Sequence, residues 1–353
     1  DTDVEAVRQA RVLTVTQTRQ PSRLPADLQP GQIHEDIGYA QAWLGADQVK
    51  EGGFDHLSLW SSDILRFQGD VSLDLGLSLA LQRGVISVAD TTPQARISLA
   101  APVVRLDGGI RRETSAYGVI QPILRGAATG GWLPAAENTG RLTVEADLID
   151  VGDWVRFGAS DVYDIAYVPG SHSDTITRSI EAPGFADIQL HSRGDIRLRT
   201  GSLASAGDVT LTASQVYPVT GATATIIAGA RQDSSSGVQP HPDSILAIRG
   251  NGHAAAPPSS VFGALGFIGG TVDQGGVVRA PLGTVNLGGA VGGGFGFYGF
   301  RTGGHVVLRE DSITSVSAAG LIIPYGGTVD GLKYHYNGVE LSLPGLMDLD
   351  AMG

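Results

Sequence analysis

The chain has 353 residues, with 24 Lys and Arg against 36 Asp and Glu, which gives a formal net charge of −12. An acidic chain has no general attraction for nucleic-acid phosphates or an anionic membrane surface, so neither is a predicted partner. Cys is absent, which excludes disulfides, thiolate metal ligands and a Cys nucleophile.

The first segment, residues 1–52, differs from the rest of the chain. It begins at Asp1 without Met or a signal-like segment, so we expect a processed product or a piece of something longer. Apolar residues near helical spacing precede a Gly-Gly pair, and they are Ile37, Ala40, Trp43, Leu44 and Val49. This pattern predicts one or two short helical turns in a linker that packs on the end or flank of the remaining chain.

From Phe54 onward the hydrophobic period changes to two. Val71, Leu73 and Leu75 alternate with polar residues, a Gly follows, and Leu77 starts the next alternation. Similar units of three to five residues recur along the chain, with Gly, Asp, Ser or Pro between them. These units predict short, closely spaced strands. A β-sandwich or barrel is the alternative, but hairpin turns such as Asn-Gly are few.

The spacing of these strands favours a stacked repeat. Three units make a period of about 20 residues, which is typical of solenoids. We therefore predict an all-β fold over 53–353, a right-handed parallel β-helix with three short strands per coil. Roughly a dozen coils, about 4.8 Å apart, would make a shaft on the order of 50–60 Å long. A charge at Leu73 or Val285 should then prevent folding, because both would point inward.

Four longer segments interrupt the alternation, and we expect them to leave the shaft as loops: 108–140, 158–184, 228–243 and 249–276. Insertions in a repeat architecture often collect on the binding face. Two apolar stretches, 261–272 and 295–300, are candidate exposed patches, although packing against the shaft is the simpler interpretation.

Motifs for cofactor or metal binding are weak. The G-x-G-x-x-G spacing occurs within 292–300, but the strand-like HVVL follows it where a dinucleotide site needs a helix. His172 lies two residues from Asp174, and His241 two residues from Asp243. Two ligands do not make a metal site, so we predict no metal and no cofactor.

Carboxylate pairs give the enzymatic alternative. Asp70 and Asp74 share one outward face but lie about 13 Å apart along a strand. A glycosidase pair needs roughly 5 to 9.5 Å, a spacing that carboxylates on neighbouring coils could meet. Arg193, Arg197 and Arg199 are candidates for binding uronates, but they more simply solvate the shaft. No G-x-S-x-G elbow is present. We predict no catalytic residue and assign no binding residue.

Several stretches are similar to the filamentous haemagglutinin family, the large exoproteins of two-partner secretion systems in Gram-negative bacteria. The resemblance lies in residues 52–76, 97–109, 207–226, 275–289 and 313–331, for example GGFDHLSLWSSDILRFQGDVSLDLG and ITSVSAAGLIIPYGGTVDG. It resembles a conserved region near the C-terminal part of these proteins. Each stretch is a pattern of strands and turns rather than a catalytic motif.

The resemblance implies a non-catalytic rod that is secreted or displayed at the cell surface. Its partners would be an outer-membrane transporter during export, a host-cell or glycan receptor, and other copies of the chain end to end. Absence of Cys and low charge suit such an export route. Three functions stay open: a structural and adhesive rod, which we favour, a self-assembling extracellular filament, and a polysaccharide lyase or hydrolase. The enzyme would require two or three carboxylates converging across neighbouring coils.

Overall fold

The computed structural model describes most of the chain. The described residues are 7–8, 11–21, 27–31, 41–82, 84–108, 112–114, 120–122, 140–167, 174–233, 237–291, 304–321, 327–329, 333–336 and 339–341. Nearly all of its regular structure is β, with many parallel strands and one short helix in this described part.

The elements of the first half are, in chain order, β1 Val7–Arg8, β2 Val12–Thr16, β3 Gln41–Gly45, α1 Ala46–Glu51, β4 His56–Trp60, β5 Ile64–Gln68, β6 Val71–Asp74, β7 Ser78–Gln82, β8 Val85–Val88, β9 Arg96–Ala100, β10 Val103–Asp107, β11 Arg112–Thr114, β12 Ile120–Pro122, β13 Arg141–Ala146, β14 Leu148–Phe157, β15 Ala159–Tyr167 and β16 Asp174–Ala182. Those of the second half are β17 Asp187–Ser192, β18 Asp195–Ser205, β19 Asp208–Ala213, β20 Gln215–Pro218, β21 Thr223–Ile227, β22 Ala230–Asp233, β23 Gly237–Pro240, β24 Ile245–Gly250, β25 Ala264–Ile268, β26 Thr271–Gly275, β27 Val277–Arg279, β28 Thr284–Leu287, β29 His305–Leu308, β30 Ile313–Ser315, β31 Gly327–Val329, β32 Lys333–Tyr336 and β33 Val339–Leu341.

Most of these strands fall into three rows, within which neighbours pair in parallel. Row 1 is an eight-stranded sheet in the order β6, β9, β13, β17, β19, β24, β26, β29. Row 2 contains β4, β7, β10, the first half of β14, the first half of β18, β20, β27 and β30. Row 3 contains β3, β2, β5, β8, the second halves of β14 and β18, β21, β25 and β28. Rows 2 and 3 form one sheet because β14 and β18 run through both.

The register stacks equivalent residues of row 1 on one another. One buried line is Val71, Ile97, Leu142, Ile188, Val209, Leu246 and Val272, and a second is Leu73, Leu99, Val144, Leu190, Leu211 and Ile248. Side chains two positions apart share a face of a strand, so the intervening polar residues face outward. Buried apolar residues of all three rows join in one continuous core.

The described part of residues 1–52 contributes strands to the rows instead of forming a linker outside them. β2 pairs in parallel with both β3 and β5, so this segment supplies two strands of row 3. Trp43 and Leu44, which helical spacing assigned to a helix, lie in β3, because pairing with β2 satisfies the backbone there. The helix α1 begins after Gly45 and buries Ala46 and Val49. Ile37 and Ala40 lie outside the described residues.

Three of the four predicted insertions contain antiparallel hairpins. β11 pairs with β12 inside 108–140, β15 with β16 inside 158–184, and β22 with β23 inside 228–243. In the fourth, the prediction of a loop over 249–276 was wrong after residue 263. β25 and β26 belong to rows 3 and 1, and their alternation was obscured by the surrounding Gly residues. The stretch 261–272 is correspondingly buried at Val261, Leu265, Phe267, Ile268 and Val272. Residues 295–300 lie outside the described part.

Two insertions each take the place of a strand. After β10 the chain enters 108–140 instead of row 3, and β8 therefore pairs directly with β14. After β24 it enters the loop 251–263 instead of row 2, and β20 pairs directly with β27, through Val216 and Val278. The longest described row has nine strands, which at about 4.8 Å per spacing gives a stack of about 40 Å, shorter than predicted.

Candidate functional site

Row 2 carries an outward band of charge that we call the charged stripe: Arg105, Asp107, Asp150, Asp153, Arg197 and Arg199. Strand pairing places Arg105 beside Asp150, Asp150 beside Arg197, and Arg197 beside Tyr217. Acidic and basic side chains from β10, β14 and β18 therefore alternate across neighbouring strands. Opposite charges on adjacent strands attract, and this arrangement also fixes each side chain's direction.

Asp150 is the centre of the charged stripe. It is 4 % exposed, and its carboxylate accepts hydrogen bonds from Arg197 Nη2 at 2.8 Å and from Arg199 Nε at 3.1 Å. The hydrogen bond to Asp150 raises the pKa of the Arg197 guanidinium. A buried carboxylate without these partners would be strongly destabilising, so the two Arg side chains are part of the fold as well as of its surface.

Arg199 reaches across one strand to the next. Its Nη2 lies 3.1 Å from Asp107 Oδ1, although Arg199 is on β18 and Asp107 on β10, with β14 between them. The guanidinium passes directly over Gly152 of β14, where a Cβ would lie 2.3 Å from Arg199 Cζ. Gly152 therefore leaves the room that Arg199 needs to contact both Asp107 and Asp150.

Asp107 and Asp153 form a carboxyl pair with opposite pKa shifts. Burial and the hydrogen bond to Asp107 raise the pKa of Asp153. Burial also raises the pKa of Asp107, but the hydrogen bonds from Asp153 and Arg199 outweigh it and lower that pKa overall. The two pKa values therefore move apart, so Asp107 ionises before Asp153 as pH rises. Asp153 has a φ of 56°, a left-handed conformation that Asp tolerates better than most residues.

A groove of about 480 Å³ lies next to the charged stripe, where the loop 251–263 passes over row 2. Its lining includes Asp195, Gln215 and Tyr217 of row 2, together with Thr220, Pro258 and Ser260. Burial raises the pKa of the Tyr217 hydroxyl, so Tyr217 is neutral at physiological pH. Among the described residues, none hydrogen bonds to this hydroxyl.

The loop over the groove is held in place by side chains of row 2 and by Asn251 at its own start. Gln215, which is 3 % exposed, donates from Nε2 to Asp195 Oδ2 at 3.1 Å and to the Ala256 carbonyl at 3.0 Å. Arg279 Nη1 donates to Gln215 Oε1 at 3.2 Å and to the Ala255 carbonyl at 2.9 Å. Asn251 Nδ2 donates to the carbonyls of Ser192 and Arg193, both at 2.9 Å. The groove is therefore preformed.

The structure gives the predicted arginines more specific partners than solvent. Arg193 Nε donates to Asp147 Oδ1 at 2.6 Å, while Arg197 and Arg199 belong to the charged stripe. Sequence reasoning missed the carboxylates of this stripe, because Asp107 and Asp150 are 43 positions apart and meet only once β10 and β14 are in register. The sequence did carry a signal for these carboxylates, because VVRLD and LIDVGD occupy equivalent positions in successive strand units.

The remaining candidate motifs do not form sites in the described part of the chain. His241 Nδ1 lies 3.9 Å from Asp243 Oδ2, and no three His, Asp or Glu side chains there are grouped to hold a metal ion. His172 and the Gly motif within 292–300 lie outside the described residues. Asp74 and Asp70 are both exposed on β6 and the turn before it, and Asp70 Oδ1 accepts from the Arg96 backbone N–H at 2.8 Å.

Comparison with known proteins gave no relatives. No protein-family model, no curated protein and no solved structure matches this chain. The helix α1, with six residues, is the one helix in the described ranges, and it is far too short to span a bilayer.

Proposed function

We propose that the three rows wind as a right-handed parallel β-helix, with one strand from each row per coil. Two observations support this. Consecutive strands of the chain visit rows 1, 2 and 3 in order, as β17, the two halves of β18, then β19, β20 and β21 do. In addition, side chains from the three rows share one core.

We further propose that the chain is a structural and adhesive rod segment of a filamentous-haemagglutinin-like exoprotein, secreted or displayed by a Gram-negative bacterium. The observation that carries this proposal is the unbroken parallel register of row 1 through eight strands. Such a ladder extends in one direction by adding one strand per repeat. The sequence stretches that resemble this family and the absence of Cys agree with it. Its partners would be an outer-membrane transporter, a host-cell or glycan receptor, and other copies of the chain.

The stacking of row 1, on which the β-helix depends, is tested by distances between spin labels. The Cys-free chain allows Cys pairs at outward row 1 positions, such as Ser72 with Thr210, which are four strand spacings apart in the register. We expect about 19 Å between their backbones, from about 4.8 Å per spacing, and about 14 Å for Ser98 with Thr210. Equal distances for the two pairs would contradict the stacking.

The rod's role is tested by electron microscopy with mass measurement over a range of concentrations, followed by adhesion of coated beads to cultured epithelial cells. Discrete monomeric particles, with beads retained better than albumin-coated ones, are the expected result. Lengthening end to end with concentration would favour the self-assembling filament. Retention equal to that of albumin would contradict an adhesive role.

A polysaccharide lyase or hydrolase is the second candidate, because Asp107 and Asp153 meet across neighbouring strands and their pKa values move apart. Arg197 and Arg199 lie beside them. We rank it second because carboxyls in direct hydrogen-bond contact are closer than the roughly 5 Å of a retaining glycosidase pair. Incubation with a panel of neutral and uronate polysaccharides, with Asp153→Asn as the control, tests it: release of reducing or unsaturated ends by the wild type alone would support catalysis.

A further inference from the structure

We propose that the groove formed by Asp195, Gln215, Tyr217 and the loop 251–263 is a binding site for a neutral oligosaccharide. The proposal deepens the adhesive role and rests on it, since it names the class of ligand that the rod would hold. Three properties of the groove support it: the chemistry of its lining, the rigidity of that lining and its charge.

The lining supplies the two kinds of contact that a sugar needs. The Tyr217 ring offers an apolar surface for the C–H face of a pyranose, and its hydroxyl has no hydrogen-bond partner among the described residues. Asp195 supplies a carboxylate acceptor, and Thr220 and Ser260 supply hydroxyls that both donate and accept. The volume of the groove falls within the range of about 300–1,000 Å³ that is usual for small-molecule sites.

The lining is also fixed before any ligand binds. Gln215 is a positioning residue, because its amide is fully used in holding Asp195, Ala256 and Arg279 together. Asn251 ties the start of the loop to the corner between β17 and β18. Preorganised polar groups lose little conformational entropy on binding, which matters for weakly bound sugars.

Charge selects among ligands of similar shape. Asp195 is the charged side chain of the lining, so a uronate or sulfated saccharide would be repelled, whereas hydroxyls of a neutral sugar can donate to its carboxylate. A cationic amine would also be attracted to Asp195 and to the face of Tyr217. The Thr and Ser hydroxyls favour the neutral saccharide over the amine, as does the absence of a second carboxylate among the described lining residues.

The test is saturation-transfer NMR and calorimetry with maltotriose, cellotriose, chitotriose and lactose, with spermidine as the cationic probe. We expect binding of at least one saccharide, weakened at least tenfold by Tyr217→Ala and by Asp195→Asn. Tyr217→Phe keeps the ring and should weaken binding only two- to threefold. Phe54→Ala, which removes an aromatic ring that is 58 % exposed elsewhere, is the matched control and should bind as the wild type does.

The outcomes separate this proposal from the proposed function. No response to any of the four saccharides, or a response unchanged in both Tyr217→Ala and Asp195→Asn, overturns the saccharide site. A response to spermidine alone overturns it in favour of a cationic ligand. The spin-label distances and circular dichroism of each variant show independently whether the fold is intact, so loss of binding caused by misfolding is recognised. If Tyr217→Ala misfolds, the binding measured with Tyr217→Phe decides whether the saccharide site stands.

Discussion

Row 1 and row 2 belong to the same repeats but present different chemistry to solvent. Row 1 has a strand in every repeat from β6 to β29, and its middle outward line is neutral over Ser72, Ser98, Thr143, Gln189 and Thr210 before it reaches Asp273 on β26. Row 2 loses one strand to the loop 251–263, and its outward line is charged. The charged stripe and the groove both lie on the interrupted row.

Candidate function collects on row 2 for a physical reason. A continuous ladder satisfies its backbone by strand pairing, so its outward side chains need only be polar. Where a strand is replaced, the loop's backbone groups need side-chain partners, and Gln215 and Arg279 supply them for two carbonyls. Asn251 in turn ties the start of the loop to the carbonyls of Ser192 and Arg193. Those partners also build a concave surface.

The largest expected effect is in the core of row 1. Leu73→Asp places a carboxylate at a position that is 3 % exposed, in line with Leu99, and should destabilise the fold by more than about 4 kcal/mol. Ser98→Asp, outward and exposed on the next strand, should change the free energy of unfolding by less than about 0.5 kcal/mol. Urea unfolding followed by circular dichroism measures both.

Val285 allows a second comparison, between a fully buried and a half-buried inward position, because it is half-buried near the end of row 3. Val285→Asp should therefore be less harmful than Leu73→Asp, although the sequence alone predicted that both would prevent folding. Equal losses at the two positions would contradict the gradient of burial along the stack.

The next effect is on the charged stripe. Gly152→Ala puts a methyl group where the Arg199 guanidinium passes, so Arg199 should leave Asp107 and Asp150. We expect a loss of about 1–3 kcal/mol, the range for a buried charged group that loses a partner. Gly250→Ala in row 1 is the matched control, since no atom lies within 4 Å of its Cβ position. Equal unfolding midpoints for the two variants would show that Arg199 is not held as described.

The repeating strands could be predicted from the sequence because period-two alternation is a local property. The direction of Leu73, for example, follows from its neighbours alone. The partners of Arg199 could not, because Asp107 and Asp150 reach it only once β10, β14 and β18 pair in register, which no local pattern specifies. The groove was missed for the same reason: Tyr217 and the loop 251–263 meet only because β20 pairs past one repeat to β27.

The pH dependence of row 1 should follow Asp273. Hydrogen bonds from Arg309, then from Arg249, lower its pKa to about 2 against the opposing effect of burial. A lowered pKa stabilises the fold above the unfolded value of 3.8, and this contribution disappears as pH falls from about 4 to about 2. We expect a loss of about 1–2 kcal/mol over that window, allowing for exposure of Arg309. Asp273→Asn should remove this step from urea titrations made at pH 2 to 5, and a step of unchanged size would contradict the assignment.

The smallest effect, and the one with the opposite sign, is expected at Asp153, where β14 passes from row 2 to row 3. Its pKa is raised by burial and by its neighbour Asp107, so the folded chain keeps a proton that the unfolded chain releases above pH 3.8. Stability from this group is therefore present at low pH and declines as pH rises through the folded pKa. Asp153→Asn keeps a donor toward Asp107, tolerates the left-handed φ and cannot ionise. It should raise stability at pH 7 by up to about 1 kcal/mol, after allowing for solvent screening.

Asp153→Ala distinguishes the effect of the Asp153 proton on stability from the effect of its backbone conformation. It also cannot ionise, but it lacks the donor and is strained at a φ of 56°, so it should be less stable than Asp153→Asn at every pH. Urea unfolding of both variants from pH 4 to pH 8 measures this. If Asp153→Asn loses stability as pH rises just as the wild type does, the proton is not held by the carboxyl pair, and the contrast between the Arg-bound carboxylate of row 1 and the paired carboxyls of row 2 fails.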